Sequence, residues 1–172
     1  MADRPPILRV EDLCVTYGTD AGTVKAVDGV SFTIYKGERF GLVGESGSGK
    51  SNMANAILRL LKAPGKIDRG QVMLGDTDLL SLSDEHMRQI RWTRVSLIMQ
   101  GAMNSLNPTM RIREQISDAI EAHTDVRQSA RRMDERLSSP LRVVGLTVRV
   151  KGIFPLALSG GSRQRACIEM AL

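Results

Sequence analysis

The residues Gly44-Glu45-Ser46-Gly47-Ser48-Gly49-Lys50-Ser51 fit the spacing G-x-x-x-x-G-K-[ST] of a phosphate-binding loop. Each residue type has a chemical reason to be there. The glycines let successive backbone N–H groups turn inward and wrap an anion, with Ser46 and Ser48 lying in the same wrap. A helix beginning near Gly49 adds the positive end of its dipole. Lys50 supplies a mobile cation for the outer phosphates, and the Ser51 hydroxyl is a ligand for Mg²⁺. A loop of this kind implies a nucleoside triphosphate without saying what its energy does.

A second stretch, Leu158-Ser159-Gly160-Gly161-Ser162-Arg163-Gln164-Arg165 followed by ACIEMAL, reads as another helix start. Ser159 suits the N-cap, a role worth ~1 kcal/mol. Gly160 and Gly161 would let an anion approach the free N–H groups of that helix end.

The elements that must position these loops are legible in outline. Ile7 to Tyr17 is rich in strand formers. Gly18 to Gly22 reads as a turn, and Asp28-Gly29 as a hairpin dipeptide before the alternating Val30, Phe32 and Ile34. Arg39-Phe40-Gly41-Leu42-Val43 reads as a short buried-type strand leading into the phosphate loop. After the loop, Met53, Ala56, Ile57, Leu60 and Leu61 share a helical face, and Pro64-Gly65 is the expected end of that helix. Gly70 to Leu74 reads as a strand turning at Gly75-Asp76. Asp84 to Arg91 reads as a short helix with Ser83 as its cap, and Val95 to Met99 as another apolar strand. Helical spacing then runs through Ile112, Ile116, Ala119 and Ile120. It returns at Val126, Ala130, Met133 and Leu137, with a break at Pro140.

Composition bounds the rest. With 172 residues and 42% hydrophobic content, the chain suits one compact domain or a domain with a small added lobe. The net charge is +5, but its basic residues are interleaved with acids and are not paired with aromatics, so nucleic acid is not an expected partner. Cys14 and Cys167 are isolated and form neither a disulfide framework nor a metal-ligand spacing. No stretch reaches the ~20 apolar residues that span a bilayer, so any membrane role goes through a partner.

Taken together, LSGGSRQR and the upstream phosphate loop resemble the signature motif and Walker A loop of ATP-binding cassette (ABC) ATPases. Gln100, which ends VSLIM, looks like that family's Q-loop glutamine. VDGVSFTIYKGERFGLVGESGSGKS, DLLSLSDEHMRQIR and GAMNSLNPTMRIREQI are similar to the ATP-binding subunits of oligopeptide, dipeptide and nickel importers.

The resemblance implies an α/β P-loop NTPase fold with an N-terminal antiparallel β lobe (1–38), a P-loop core part (39–100), a Q-loop and helical lobe (101–158) and the start of the signature helix (159–172). It implies ATP and Mg²⁺ as ligands, with Mg²⁺ at Ser51 and Gln100. Gln100 would also sense the attacking water. Tyr17 sits where the family stacks an aromatic on adenine, although an ordinary strand-end tyrosine is an equal reading. Ser159, Gly160 and Gly161 would touch the γ-phosphate of an ATP held by a second ATP-binding subunit, identical or different. Transmembrane permease subunits and, indirectly, a substrate-binding protein complete the implied partners, and the location is peripheral at the cytoplasmic face of the inner membrane.

The same resemblance implies an apolar strand ending in Asp, a catalytic Glu and a later His beyond the signature helix. None is found up to Leu172, and Val72-Met73-Leu74-Gly75-Asp76 reads as a strand and turn. The expectation is therefore an incomplete core sheet, an N-terminal portion of a longer ATPase, and nucleotide binding without turnover by this chain alone. A non-hydrolytic regulatory nucleotide binder stays open as the alternative. An ABC-type DNA-repair ATPase is disfavoured by the short interval between Gln100 and Leu158, which holds no CxxC and no heptads. The absence of N-K-x-D argues against a GTPase.

Overall fold

The computed structural model describes residues 4–99, 101, 104–123 and 144–171. The chain forms two compact units, Met1–Arg88 and Gln89–Leu172. Gln100 and the helical return expected at Val126 to Leu137, with Pro140, lie outside the described residues.

The first unit is built on a four-stranded antiparallel sheet in the order β2-β1-β3-β4. Its strands are β1 (Pro6–Thr19), β2 (Gly22–Tyr35), β3 (Gly65–Leu74) and β4 (Thr77–Asp78). Val10, Leu13, Val15 and Val72 are almost fully buried and form the apolar face. Helix α1 (Lys50–Ile57) packs on β1 and β2, burying Met53, Ala56 and Ile57. Helix α2 (Asp84–Ile90) buries Met87 and is capped as expected, with Ser83 Oγ accepting from the His86 N–H at 3.2 Å.

The hairpin turns at Asp20-Ala21, where Thr19 faces Gly22, rather than at Asp28-Gly29. Asp28-Gly29 is instead a bulge inside β2. It lies between Val27, opposite Val15, and Val30, opposite Leu13. Gly29 has φ +68°, and its N–H donates to Cys14 Sγ at 3.1 Å. The dipeptide's taste for left-handed backbone was legible, but a bulge uses it as readily as a turn.

Helix α1 ends at Ile57, not at Pro64. Leu60 N–H bonds back to Asn55 O (2.7 Å) and Arg59 N–H to Ala56 O (3.0 Å), with Arg59 at φ +52°. This is a Schellman closure with arginine where glycine is usual. The Arg59 guanidinium is held by Leu82 O and Asp84 Oδ1, each at 2.6 Å, which offsets the backbone cost.

Two expected strands are not strands. Residues 39–43 pair with no strand among the described residues, and Phe40, Leu42 and Val43 are 43, 43 and 93% exposed. Residues 95–99 make a single bridge, Arg91 to Val95, and leave Ile98 and Met99 exposed. Apolar sequence prepares a strand, but only a neighbour's backbone makes one. The core sheet is accordingly not closed. Phe40 finds a contact by stacking on Phe32, with ring centroids 5.0 Å apart.

The second unit has its own apolar centre. Helix α3 (Ile112–Glu121) contributes Ile112, Ile116 and Ile120, the stripe expected from the sequence. Leu106, Leu146, Val150, Ala166 and Cys167 complete it. Short 3₁₀ turns at Val148–Gly152 and Pro155–Ala157 lead into α4 (Gly160–Glu169). Gln115 knits the preceding loop, bonding Asn107 N–H and the carbonyls of Asn107 and Met110 at 2.9 to 3.0 Å. No helix among the described residues is long and apolar enough to cross a membrane.

Candidate functional site

The phosphate loop follows the unpaired residues 39–43 and closes on α1. Gly47 and Gly49 have φ +83° and +86°. Gly49 is the N-cap of α1, and its carbonyl accepts the Met53 N–H at 2.9 Å, so the helix begins directly at the loop's end. A Cβ on Gly49 would stand 2.1 Å from the Ala26 carbonyl oxygen. Only glycine lets the loop lie this close to β2 while holding a left-handed backbone.

Lys50 lies within the turn it follows. Its ammonium donates to Gly44 O at 2.8 Å, to Ser48 Oγ at 3.0 Å and to Glu45 O. The Ser48 N–H closes the loop on Glu45 O at 3.2 Å. Two carbonyl oxygens and a hydroxyl thus hold the ammonium at the loop, and these are acceptors that the oxygens of an oligophosphate could replace. Beside the loop is an open cavity of about 260 Å³. Ala26, Val27, Leu42, Gly49, Lys50 and Met53 are among its lining residues, so one wall is apolar and another is the loop itself.

Asp28 also lines this cavity, and its carboxylate is 3.2 Å from Lys25 Nζ. From sequence alone Asp28 reads as a turn residue. The bulge in β2 carries it at the cavity wall. Tyr17, near the end of β1, donates its hydroxyl to Asn52 Oδ1 in the first turn of α1 at 2.9 Å. Neither the bond nor any role for Asn52 was foreseen.

The second glycine-led helix is in the second unit. Ser159 caps α4 as expected, accepting the Ser162 N–H at 3.3 Å and donating to Ser162 Oγ at 3.0 Å. A Cβ on Gly161 would meet nothing within 4 Å, and Gly161 is exposed. Nothing within the described chain therefore requires glycine there. Arg165 bonds Gly161 O and Gly145 O at 3.3 and 3.1 Å, tying the helix start to the segment before it.

Farther along α4, Glu169 is buried beside Lys151, with Oε2 lacking a hydrogen-bond partner among the described residues. Burial pushes its carboxyl up to about 7, against the opposing pull of Lys151. No cluster of His, Cys, Asp and Glu suited to a metal ion occurs among the described residues.

A model of the ABC transporter family matches residues 27–172. The dipeptide transport ATP-binding protein DppD of Caldanaerobacter subterraneus subsp. tengcongensis is 43% identical over 167 residues, covering 96% of this chain and 51% of that protein. The oligopeptide transport ATP-binding protein OppD of Bacillus subtilis is 39% identical over 169 residues, covering 96% of this chain and 47% of that protein. Among solved structures, a dimeric post-hydrolysis state of the ATP-binding cassette MJ0796 bound to ADP and Pi matches with TM-score 0.84 and 27% identity, covering 96% of this chain and 68% of that one. CbiO1 of Clostridium perfringens, part of the ABC transporter complex cbiONQ, shares the fold at TM-score 0.75 and 21% identity, covering 97% of this chain and 61% of that one.

The chain spans about half the length of the curated relatives it matches. These likenesses do not favour the regulatory or DNA-repair alternatives. With the family model matched over residues 27–172 and the fold shared with a solved ATP-binding cassette, this chain belongs to the ABC transporter family.

Proposed function

We propose that this chain binds ATP as part of a subunit that powers peptide import through a membrane. The observation that carries the reading is the Gly49–Lys50 geometry: a left-handed glycine pressed on β2, a lysine inside its own loop, and a helix N-terminus directly behind it. The steric need for glycine, the lysine cation at the loop and the helix N-terminus behind it all fit a bound oligophosphate. Gly44, Ser46, Gly47, Ser48, Gly49, Lys50 and Ser51 hold the phosphates in this reading, and Tyr17 receives the adenine.

The Ser51 hydroxyl is an oxygen donor of the kind Mg²⁺ accepts, and Mg²⁺ needs few protein ligands because it keeps water and phosphate oxygens. Gln100 is the other assigned ligand. The ion neutralises charge on the outer phosphates when bound.

Ser159, Gly160 and Gly161 contact the γ-phosphate of an ATP on a second ATP-binding subunit. The open space at Gly161 supports this, since the chain's own packing gives no reason for glycine there. Closure of two such subunits moves permease subunits, a substrate-binding protein delivers the peptide to those, and the assembly places this chain at the cytoplasmic membrane face. The domain division proposed is 1–38, 39–100, 101–158 and 159–172.

Uptake of a radiolabelled dipeptide tests the reading in cells lacking the gene. Uptake should fall on deletion, return with the intact gene and stay low with Lys50→Ala. Unchanged uptake in the deletion strain would refute the transport assignment.

A further inference from the structure

Tyr17 is gripped at two places. A Cβ on Gly65, its partner across the β1–β3 register, would stand 2.6 and 2.8 Å from Tyr17 Cε1 and Cζ, so the ring lies directly on the Gly65 backbone. At its other end the hydroxyl donates to Asn52 Oδ1 at 2.9 Å, a bond between residues 35 positions apart. Tyr17 nonetheless remains only partly buried.

A partly exposed phenol has no need of a protein acceptor, because water would serve. Holding it to a side chain removes rotamer freedom without covering the ring. Rigid, partly exposed aromatics are efficient contact surfaces, since little freedom remains to be lost on binding. A flat ring fixed near an anion-binding loop is a surface on which a base can stack. The acceptor lies on α1, immediately after Lys50 and Ser51 in sequence.

We propose that Asn52 is a positioning residue for the base: it fixes the Tyr17 ring from the same helix that receives the phosphates. The inference rests on the reading of the loop as an ATP site and of Tyr17 as its base contact. Asn52 acts through Tyr17 and does not itself touch the nucleotide.

Calorimetric titration of the intact protein with ATP and with inorganic tripolyphosphate, which has phosphates but no base, tests this. Asn52→Ala and Tyr17→Phe should each weaken ATP about fivefold, the worth of one hydrogen bond, and leave tripolyphosphate unchanged. The double variant should be no worse than either single one. Equal losses of ATP and tripolyphosphate in Asn52→Ala would overturn the proposal, as would ATP binding unaltered in either single variant. Tyr17→Leu separates the two layers. If it weakens ATP while Asn52→Ala and Tyr17→Phe do not, the base site stands and the role of Asn52 fails. If it binds ATP as the unsubstituted protein does, the base contact at Tyr17 fails, and this inference fails with it.

Discussion

The α-carbon of Gly49 faces the Ala26 carbonyl so closely that an added methyl would lie 2.1 Å from its oxygen. This contact makes β2 the wall against which the phosphate loop is formed. Gly49→Ala would combine that clash with a strained left-handed φ of +86°. Its cost should exceed ~2 kcal/mol, read as a lowered denaturation midpoint, and nucleotide binding should be lost with it. A variant of unchanged midpoint would show that the loop does not need this contact.

Lys50 holds the loop in order through Gly44 O, Glu45 O and Ser48 Oγ. Lys50→Ala should speed amide exchange across residues 44–48 while leaving the buried strand at Val10, Leu13 and Val15 as protected as before. Uniform acceleration of both regions would mean that the lysine supports the whole unit rather than the loop.

Gly161 offers a contrast with Gly49, since its Cβ position is open and it lies within α4. Gly161→Ala should stabilise the protein by ~0.5–1 kcal/mol, because alanine favours helix over the unfolded chain. The same substitution should weaken ATP-dependent dimerisation at least tenfold, measured by light scattering. Dimerisation that survives the change would remove α4 from the proposed subunit contact. Ser159→Ala, by comparison, should cost ~1 kcal/mol through loss of the cap.

Glu169 gives a dependence on pH. Its folded-state value of about 7 lies above the ordinary 4.5, and burial is the main cause. Between those values the folded chain keeps a proton that the unfolded chain has released. Stability therefore falls as pH rises through that window and levels off above it. Glu169→Gln should abolish the slope and gain up to about 3 kcal/mol relative to the unsubstituted protein between pH 5 and pH 8, followed by thermal melts. A constant difference across that range would place the titration elsewhere.

What the sequence disclosed was mostly local. The Ser83 and Ser159 caps, the Ile112–Ile116–Ile120 stripe and the loop from Gly44 to Ser51 depend on residues within a turn or two of one another. Strand identity at residues 39–43 and 95–99 depends on a neighbour elsewhere in the chain, which apolar composition does not report. The end of α1 depends on Arg59 adopting φ +52° with help from Leu82 and Asp84, a distant compensation hidden from helical spacing. In the site, the loop residues were readable from their pattern. The place of Asp28 on the cavity wall and the Tyr17–Asn52 bond were not, because a bulge and a strand-to-helix contact created them.

Occupation of the loop round Lys50 by ATP is the property on which the proposed function depends. Calorimetric titration of the intact protein with ATP and Mg²⁺ should give one ATP per chain, with affinity falling tenfold or more in Lys50→Ala. Binding that Lys50→Ala leaves unchanged, or no binding by a protein that melts cooperatively, would contradict it.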